Sequence, residues 1–289
     1  MIRRNKLIYF WILSAVIYLT GCMSDPTPAV RQLFPDPPDT SIGFKRIDYM
    51  DYEEVAAIIA GTSELANGVA RKEGIAYVPQ HGDDFRGHVL DDAYWSGIVA
   101  CHSDFRGTIF RYAVARSSIF DSSDFRVADV RWTDFSGSSM VDCDFKQARM
   151  FRMLADSADF SRSEMMGANM FGFEGNGTVL RHCNFSNALM KESELVNADF
   201  TGCTAIKTNF LLSVLFNAKA DSADLSYSDF TGASLEGASF VHSRLYKTNF
   251  QGAHLQGVDF SGADLSGCSF YGAEFENTVM KGAINIPPD

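Results

Sequence analysis

Basic residues are in short supply: 25 Lys and Arg stand against 36 Asp and Glu, a formal net charge of −11. That balance excludes the general electrostatic footprint of a nucleic-acid-binding protein. Cysteine is sparse, six in 289 residues, and no two have the Cys-x-x-Cys spacing of a zinc ribbon or a redox dithiol. There is no glycine-rich phosphate loop opening a helix and no nucleophile elbow. No apolar run is long enough to span a bilayer. The longest candidate, Leu7–Thr20, would make a helix of about 21 Å against a hydrocarbon core of about 30 Å. Disorder is excluded as well, because 46% of the residues are hydrophobic. What the chain has in excess is Phe, 24 residues, together with 23 Gly.

The first 22 residues read as an address. Arg3, Arg4 and Lys6 form a positive start, the apolar run follows, and it ends in Leu19-Thr20-Gly21-Cys22. A short apolar run behind basic residues is the pattern of a cleaved signal peptide. Its ending resembles the bacterial lipoprotein signal motif. The resemblance implies cleavage before Cys22, a diacylglyceryl thioether on its sulfur and an acyl chain such as palmitate on the new terminus. Several acyl chains, at about 0.8 kcal/mol per buried methylene, anchor stably where one does not. An uncleaved anchor with a chance cysteine is the competing reading. Loss of residues 1–21 takes the net charge from −11 to about −14.

Residues 22–40 hold five of the eight prolines (Pro26, Pro28, Pro35, Pro37 and Pro38) and read as a semi-rigid linker. Residues 41–80 read as a small N-terminal cap segment. Asp51 with Glu54 can cap a helix whose apolar stripe is Val55, Ala56, Ile58 and Ile59, with Gly61 ending it. Ile75–Val78 reads as a short strand. A solenoid needs its first edge covered, and this segment is placed to do so.

From residue 81 a period of five takes over. Of the forty positions divisible by five from Phe85 to Met280, seventeen are Phe, nine Leu and six Met. Two residues before each, thirty-five of forty are Ala, Ser, Thr, Cys or Val. Seventeen of the 23 Gly stand at positions ending in 2 or 7. Neither a helix nor a single strand has this period. A unit with one large and one small inward residue makes one side of a square coil, and successive coils stack at about 4.8 Å. The interior then fills with columns, as in Leu225, Phe230, Leu235, Phe240 followed by Leu245, Phe250, Leu255, Phe260.

Ala263-Asp264-Leu265-Ser266-Gly267 is similar to the repeat unit of the pentapeptide-repeat family. The resemblance covers residues 81–283 and implies an all-β solenoid, a right-handed quadrilateral β-helix of about ten coils, with residues 284–289 as a tail. Asp83, His88 and Ile98 occupy small slots, which predicts an irregular first coil. Around Phe171–Gly177 the slots are exchanged, Phe173 in the small one and Gly175 in the large one. Either Phe173 fills the space Gly175 leaves or the coil loops out; the unbroken register favours the first.

Catalytic chemistry is not assembled by this register. His102, His182 and His242 share a slot but lie four and three coils apart, about 19 and 14 Å, too far to share a metal ion. No metal site, cofactor or small-molecule substrate is expected. Cys143, Cys183, Cys203 and Cys268 fall in inward columns as alanine substitutes, Cys183 and Cys203 staying reduced, while Cys101 faces outward as a free thiol.

Two surfaces remain. One side carries Asp84-Phe85-Arg86, Asp104-Phe105-Arg106, Asp124-Phe125-Arg126 and Asp144-Phe145-Lys146, an acid row beside a basic row that reads as a solvated charge ladder. The next side sets Arg111, Tyr112, Arg131, Trp132, Phe151, Arg152, Phe171, Leu211 and Leu212 outward, with Ile109, Arg149, Lys191, Val214 and Phe216 around them. Outward aromatics with arginines have the composition of interaction hot spots, and this ridge is the candidate protein-binding face. The competing readings are that residues 41–80 cover it or that the face is merely untidy. The leading expectation is a non-catalytic, lipid-anchored scaffold or interaction rod at a bacterial membrane, on its periplasmic face or at the cell surface. It would meet the membrane through the lipid on Cys22 and bind a protein partner rather than nucleic acid. The alternative implied by the resemblance is mimicry of duplex DNA toward a topoisomerase. Charge weakens it: residues 81–289 hold 27 acids and 17 bases, over about 48 Å, far below the charge density of DNA. An enzyme or sugar-binding module has nothing in its favour.

Overall fold

A computed structural model describes residues 81–287, all within one compact unit of the chain. The signal segment, Cys22, the linker and the cap segment lie outside the described residues. Each pentapeptide places one residue in a parallel bridge to the residue twenty positions on, from Asp84↔Asp104 through to Asp264↔Ile284. Twenty residues therefore make one four-sided coil, and the coil stacks on the next in strict register. The β structure is a single bridged residue per side rather than an extended strand. The fold is a β solenoid.

Five backbone amides per unit account for the motif. In the unit around Phe105, Asp104 N–H donates to Asp83 one coil back, and Phe105 N–H donates to Asp124 one coil forward, at 2.9 and 2.7 Å. Gly107 N–H donates forward to Arg126 and Thr108 N–H closes the turn onto Phe105 carbonyl, both at 3.0 Å. The fifth amide, on Arg106, has no carbonyl of this kind within the pattern, and the Asp104 carboxylate accepts from it at 3.1 Å. The same cap recurs at Asp124, Asp159, Asp224 and Asp264, and Asn209 serves equally. The Asp or Asn before the large residue is thus a local backbone cap, the role these side chains play in turns.

The turn also explains the glycines. Every position ending in 2 or 7 from Gly82 to Gly282 has positive φ, as the third residue of a type II turn requires. Glycine meets this at no steric cost, whereas other residues adopt it only under strain.

The core is four inward columns. Phe85, Phe105, Phe125 and Phe145 stack nearly parallel at 4.5–4.9 Å, and neighbouring columns meet edge to face, as Phe105 and Phe120 do at 5.8 Å. These are the preferred geometries of aromatic pairs.

Three expectations need comment. The first coil is regular: Asp84, Val89, Tyr94 and Val99 all bridge to the second coil, because Asp83, His88 and Ile98 are tolerated partly buried at the coil's outer end. At the exchanged slots Phe173 is fully buried, and a Cβ on Gly175 would come within 2.3 Å of its ring. Glu174 keeps its bridges to Leu154 and Glu194, so the coil does not loop out. The inward cysteines are more than alanine substitutes. Cys183 Sγ donates to Phe160 carbonyl at 2.8 Å and Cys268 Sγ to Leu245 carbonyl at 2.9 Å. Thr108 and Ser163 make the same bond to Phe85 and Met140 at 2.7 Å. A hydroxyl or thiol in the small slot gives the turn carbonyl of the preceding coil its second hydrogen bond.

Candidate protein-interaction face

Among the described residues no group of His, Cys, Asp or Glu could hold a metal ion; His102, His182 and His242 occupy positive-φ turn slots, and His102 meets His81 edge to face at 4.8 Å. The cysteines among the described residues are free. Burial pushes the Cys183 and Cys268 thiols up to about 12 and raises Cys143 and Cys203 as well. Cys101 is half-buried, and its thiol is raised by burial and then by Asp121. None is in the thiolate-favouring setting of a reactive cysteine.

The charge ladder forms as the spacing predicts, and more continuously. Arg86 pairs with Asp84 at 2.6 Å and reaches Asp104 at 3.5 Å; Arg106 pairs with Asp104 at 2.7 Å and reaches Asp124 at 3.6 Å. Arg126 and Lys146 repeat the pattern up to Glu164. Acids and bases alternate along the rod, so this face satisfies itself.

A different acid pair lies on another side. Glu174 and Glu194 bridge on consecutive coils. Burial lifts the Glu174 carboxyl to about 7, Glu194 pushes the same way, and Arg152 opposes.

The ridge is brought together across successive coils. Tyr112 and Trp132 stack face to face at 4.9 Å, Trp132 meets Phe151 edge-on at 5.3 Å, and Phe151 stacks on Phe171 at 5.5 Å. Arg131 lies over Trp132, Arg152 over Phe151 and Lys191 over Phe171, cation–π contacts that hold the basic groups along the row. Two members depart from expectation: Phe151 and Arg131 are only 5% and 4% exposed. Arg131 is drawn in by Asp129, with which it forms a 2.6 Å ion pair. Arg111 is held by Asp91 at 2.6 Å. Leu211 is half-buried, and Leu212, at 53%, is the most exposed member of the face.

Tyr112, Trp132, Arg152 and Leu212 all occupy the left-handed turn position, φ 49–58°. Glycine is the low-cost residue there, and the neighbouring coils make room for these side chains. Cβ atoms on Gly172 and Gly232 would press on Arg152 and Leu212, at 3.2 and 2.9 Å. Sequence reasoning missed the acids that hold the ridge, Asp91 and Asp129. It also missed a smaller aromatic–cation cluster in which Tyr227 meets Tyr246 at 5.3 Å beneath Lys247. The signal was available, since positions 227 and 247 are one coil apart and 246 adjoins.

A four-sided solenoid with a twenty-residue coil is the class this geometry defines. The family description "Pentapeptide repeats" matches in eight copies, over residues 102–137, 176–204, 193–230, 213–252 and 243–282. The chain thus carries pentapeptide repeats. Among solved structures it is similar to HetL, a pentapeptide repeat protein involved in heterocyst differentiation regulation in the cyanobacterium Nostoc. Identity is 17%, over 82% of this chain and 97% of that one, with a TM-score of 0.33. It is similar to full-length QnrB1, a plasmid-mediated fluoroquinolone resistance protein, at 20% identity over 68% and 93% of the two chains, TM-score 0.28. A pentapeptide repeat protein of the Arabidopsis thaliana thylakoid lumen matches at 19% identity over 41% and 65%, TM-score 0.21. No curated protein matches.

Proposed function

We propose that this protein is a non-catalytic, lipid-anchored interaction rod at a bacterial membrane. About ten right-handed coils would be held off the bilayer by the proline-rich linker, with acyl chains on Cys22. The ridge of Arg111, Tyr112, Trp132, Arg152, Phe171, Leu211 and Leu212 is its docking face, with Arg131 and Phe151 buried within it. The observation that carries the reading is the row of bulky outward side chains kept in left-handed turn slots. Outward aromatics interleaved with cations have the composition of interaction hot spots, and Tyr112, Trp132 and Phe171 lie in one such row. The topoisomerase-directed alternative is less well supported, because the most regular acid row is interleaved with Arg86, Arg106, Arg126 and Lys146, unlike the uncompensated phosphates of a duplex.

Labelling with radioactive or alkyne palmitate tests the address. The wild-type chain is expected to take up label and fractionate with membranes, and Cys22→Ser to do neither. A soluble, unlabelled wild-type chain would contradict the anchor and return the topoisomerase-directed alternative.

A further inference from the structure

We propose that Glu174 and Glu194 share one proton across a coil step, and that its release draws the Arg152 guanidinium off the Phe151 ring, so that pH sets the charge shown on the ridge. The switch stands on the geometry of the coils; its consequence for binding rests on the reading of the ridge as a docking face. In-register stacking sets residues twenty apart directly over one another, about 4.8 Å between backbones, and like charges so placed repel. Elsewhere among the described residues, acid bridges acid only in the ladder from Asp84 to Glu164, where Arg86, Arg106, Arg126 and Lys146 stand between the carboxylates. Glu174↔Glu194 is the acid–acid bridge outside that ladder. Both side chains are half-buried. One proton held between two such carboxyls relieves repulsion and desolvation together. In keeping with this, burial and Glu194 hold the Glu174 carboxyl at about 7, and burial and Asp156 keep Glu194 above the ordinary glutamate range.

Arg152 is the base that faces the pair, and it opposes the rise at both carboxyls. Its side chain lies along the turn that leads into Glu174: a Cβ on Gly172 would stand 3.2–3.6 Å from its Cγ, Nε and Cζ. The same Cζ is 6.0 Å from the centre of the Phe151 ring. The guanidinium is therefore within reach of two partners, one on the ridge and one beside it. The other charged groups nearby are engaged. Asp134 is held by Arg116 at 2.5 Å, Asp156 accepts from the Asn176 amide at 2.8 Å, and Glu192 pairs with Lys191 at 3.4 Å. When the shared proton passes to solvent, the pair gains one negative charge. Arg152 then exchanges a cation–π contact for charge-assisted hydrogen bonds, the stronger interaction. Below that step its charge belongs to the ridge; above it, the acid pair neutralises it.

A pH titration of the full mature chain in detergent, followed by NMR from pH 4 to 9, tests this. The probes are the side-chain carboxyl carbons of Glu174 and Glu194 and the Nε–H of Arg152. The two carboxyls are expected to titrate in two steps that both residues report, the upper near the Glu174 value of about 7. The Arg152 Nε–H should shift with that upper step as it leaves the ring current of Phe151. In Glu194→Gln the upper midpoint should fall by about one unit, and in Arg152→Gln it should rise. Independent single steps in the ordinary glutamate range would overturn the shared proton. An Arg152 signal that stays still through the upper step would overturn the switch. The wild-type titration decides both points even if a variant fails to fold. No partner enters the readout, so failure here leaves the docking face standing, and loss of the docking face leaves the titration unchanged.

Discussion

Residues 102–162 and 232–282 are built on one backbone and differ in how their turns are filled. Among the thirteen left-handed turn positions from His102 to Arg162, two are glycine; among the eleven from Gly232 to Gly282, eight are. The later coils follow the repeat closely, with columns of Phe and Leu inside and glycine at most turn positions. The earlier coils place Tyr112, Val127, Trp132 and Arg152 in the same slots and carry the aromatic ridge. The difference teaches that the inward columns and the ladder of coil-to-coil hydrogen bonds set the fold, strongly enough to hold side chains the turn would otherwise reject. Surface identity is then written at the turn positions, at a conformational cost borne by the core.

The sharpest way to break the comparison is at Phe173 and Gly175, where the earlier pattern departs inside as well as outside. Phe173→Ala should destabilise by about 3–5 kcal/mol, the range for emptying a buried aromatic site. Adding Gly175→Phe to it should recover most of that loss, because the large side chain returns to the slot that Phe135 and Leu195 fill in the same column. Both are read from chemical denaturation midpoints. A double variant no more stable than the single would mean that the exchanged pair is locked by its surroundings.

A smaller effect comes from the turns themselves. Val127 is β-branched at φ +54°, so Val127→Gly should stabilise by about 0.5–1 kcal/mol, relief of left-handed strain less the entropy glycine adds to the unfolded chain. In the later coils Gly267→Val should go the other way by about 1–2 kcal/mol, since φ is +70° and its Cβ would press on Lys247 at 3.1 Å. Equal and negligible shifts in melting temperature would remove turn strain from the account.

The smallest effect is one of pH. The Glu174 carboxyl is raised to about 7 by burial and by Glu194. A raised carboxyl holds its proton in the folded state, so stability is lost as pH rises from the usual glutamate range through about 7. The melting temperature should therefore be higher at pH 5 than at pH 8, and Glu174→Gln should flatten that slope. Asp84, Asp142, Asp199 and Asp264 are held below the ordinary carboxylate range by their partners and act only at more acidic pH. A slope unchanged in Glu174→Gln would assign it elsewhere.

The architecture was legible because one residue class, the positions divisible by five, carries nearly all the large inward side chains, and a period of five has few physical solutions. The turn glycines and the charge ladder followed from the same register. What the register does not reveal is where a long side chain goes once it leaves the backbone. Phe151 and Arg131 have outward slots, yet one is enclosed by rings and the other drawn in by Asp129. The second hydrogen bond from Ser, Thr and Cys to the turn carbonyl was hidden too, because in the pattern those residues are simply small. The consequence for the ridge is that Trp132→Ala with Phe151→Ala would disturb packing as well as docking.

The central claim is that the register runs unbroken from Asp84 to Ile284, through residues 138–175, which the family description does not cover. Residue-resolved amide hydrogen exchange tests it most directly. Ladder amides from Met140 to Gly175, such as Phe145, Met150 and Ala155, should exchange as slowly as Phe240, Leu245 and Phe250, for each donates to a carbonyl one coil on. A block of fast exchange across 171–177, flanked by protected coils, would mean that the chain loops out there and that the exchanged slots interrupt the solenoid.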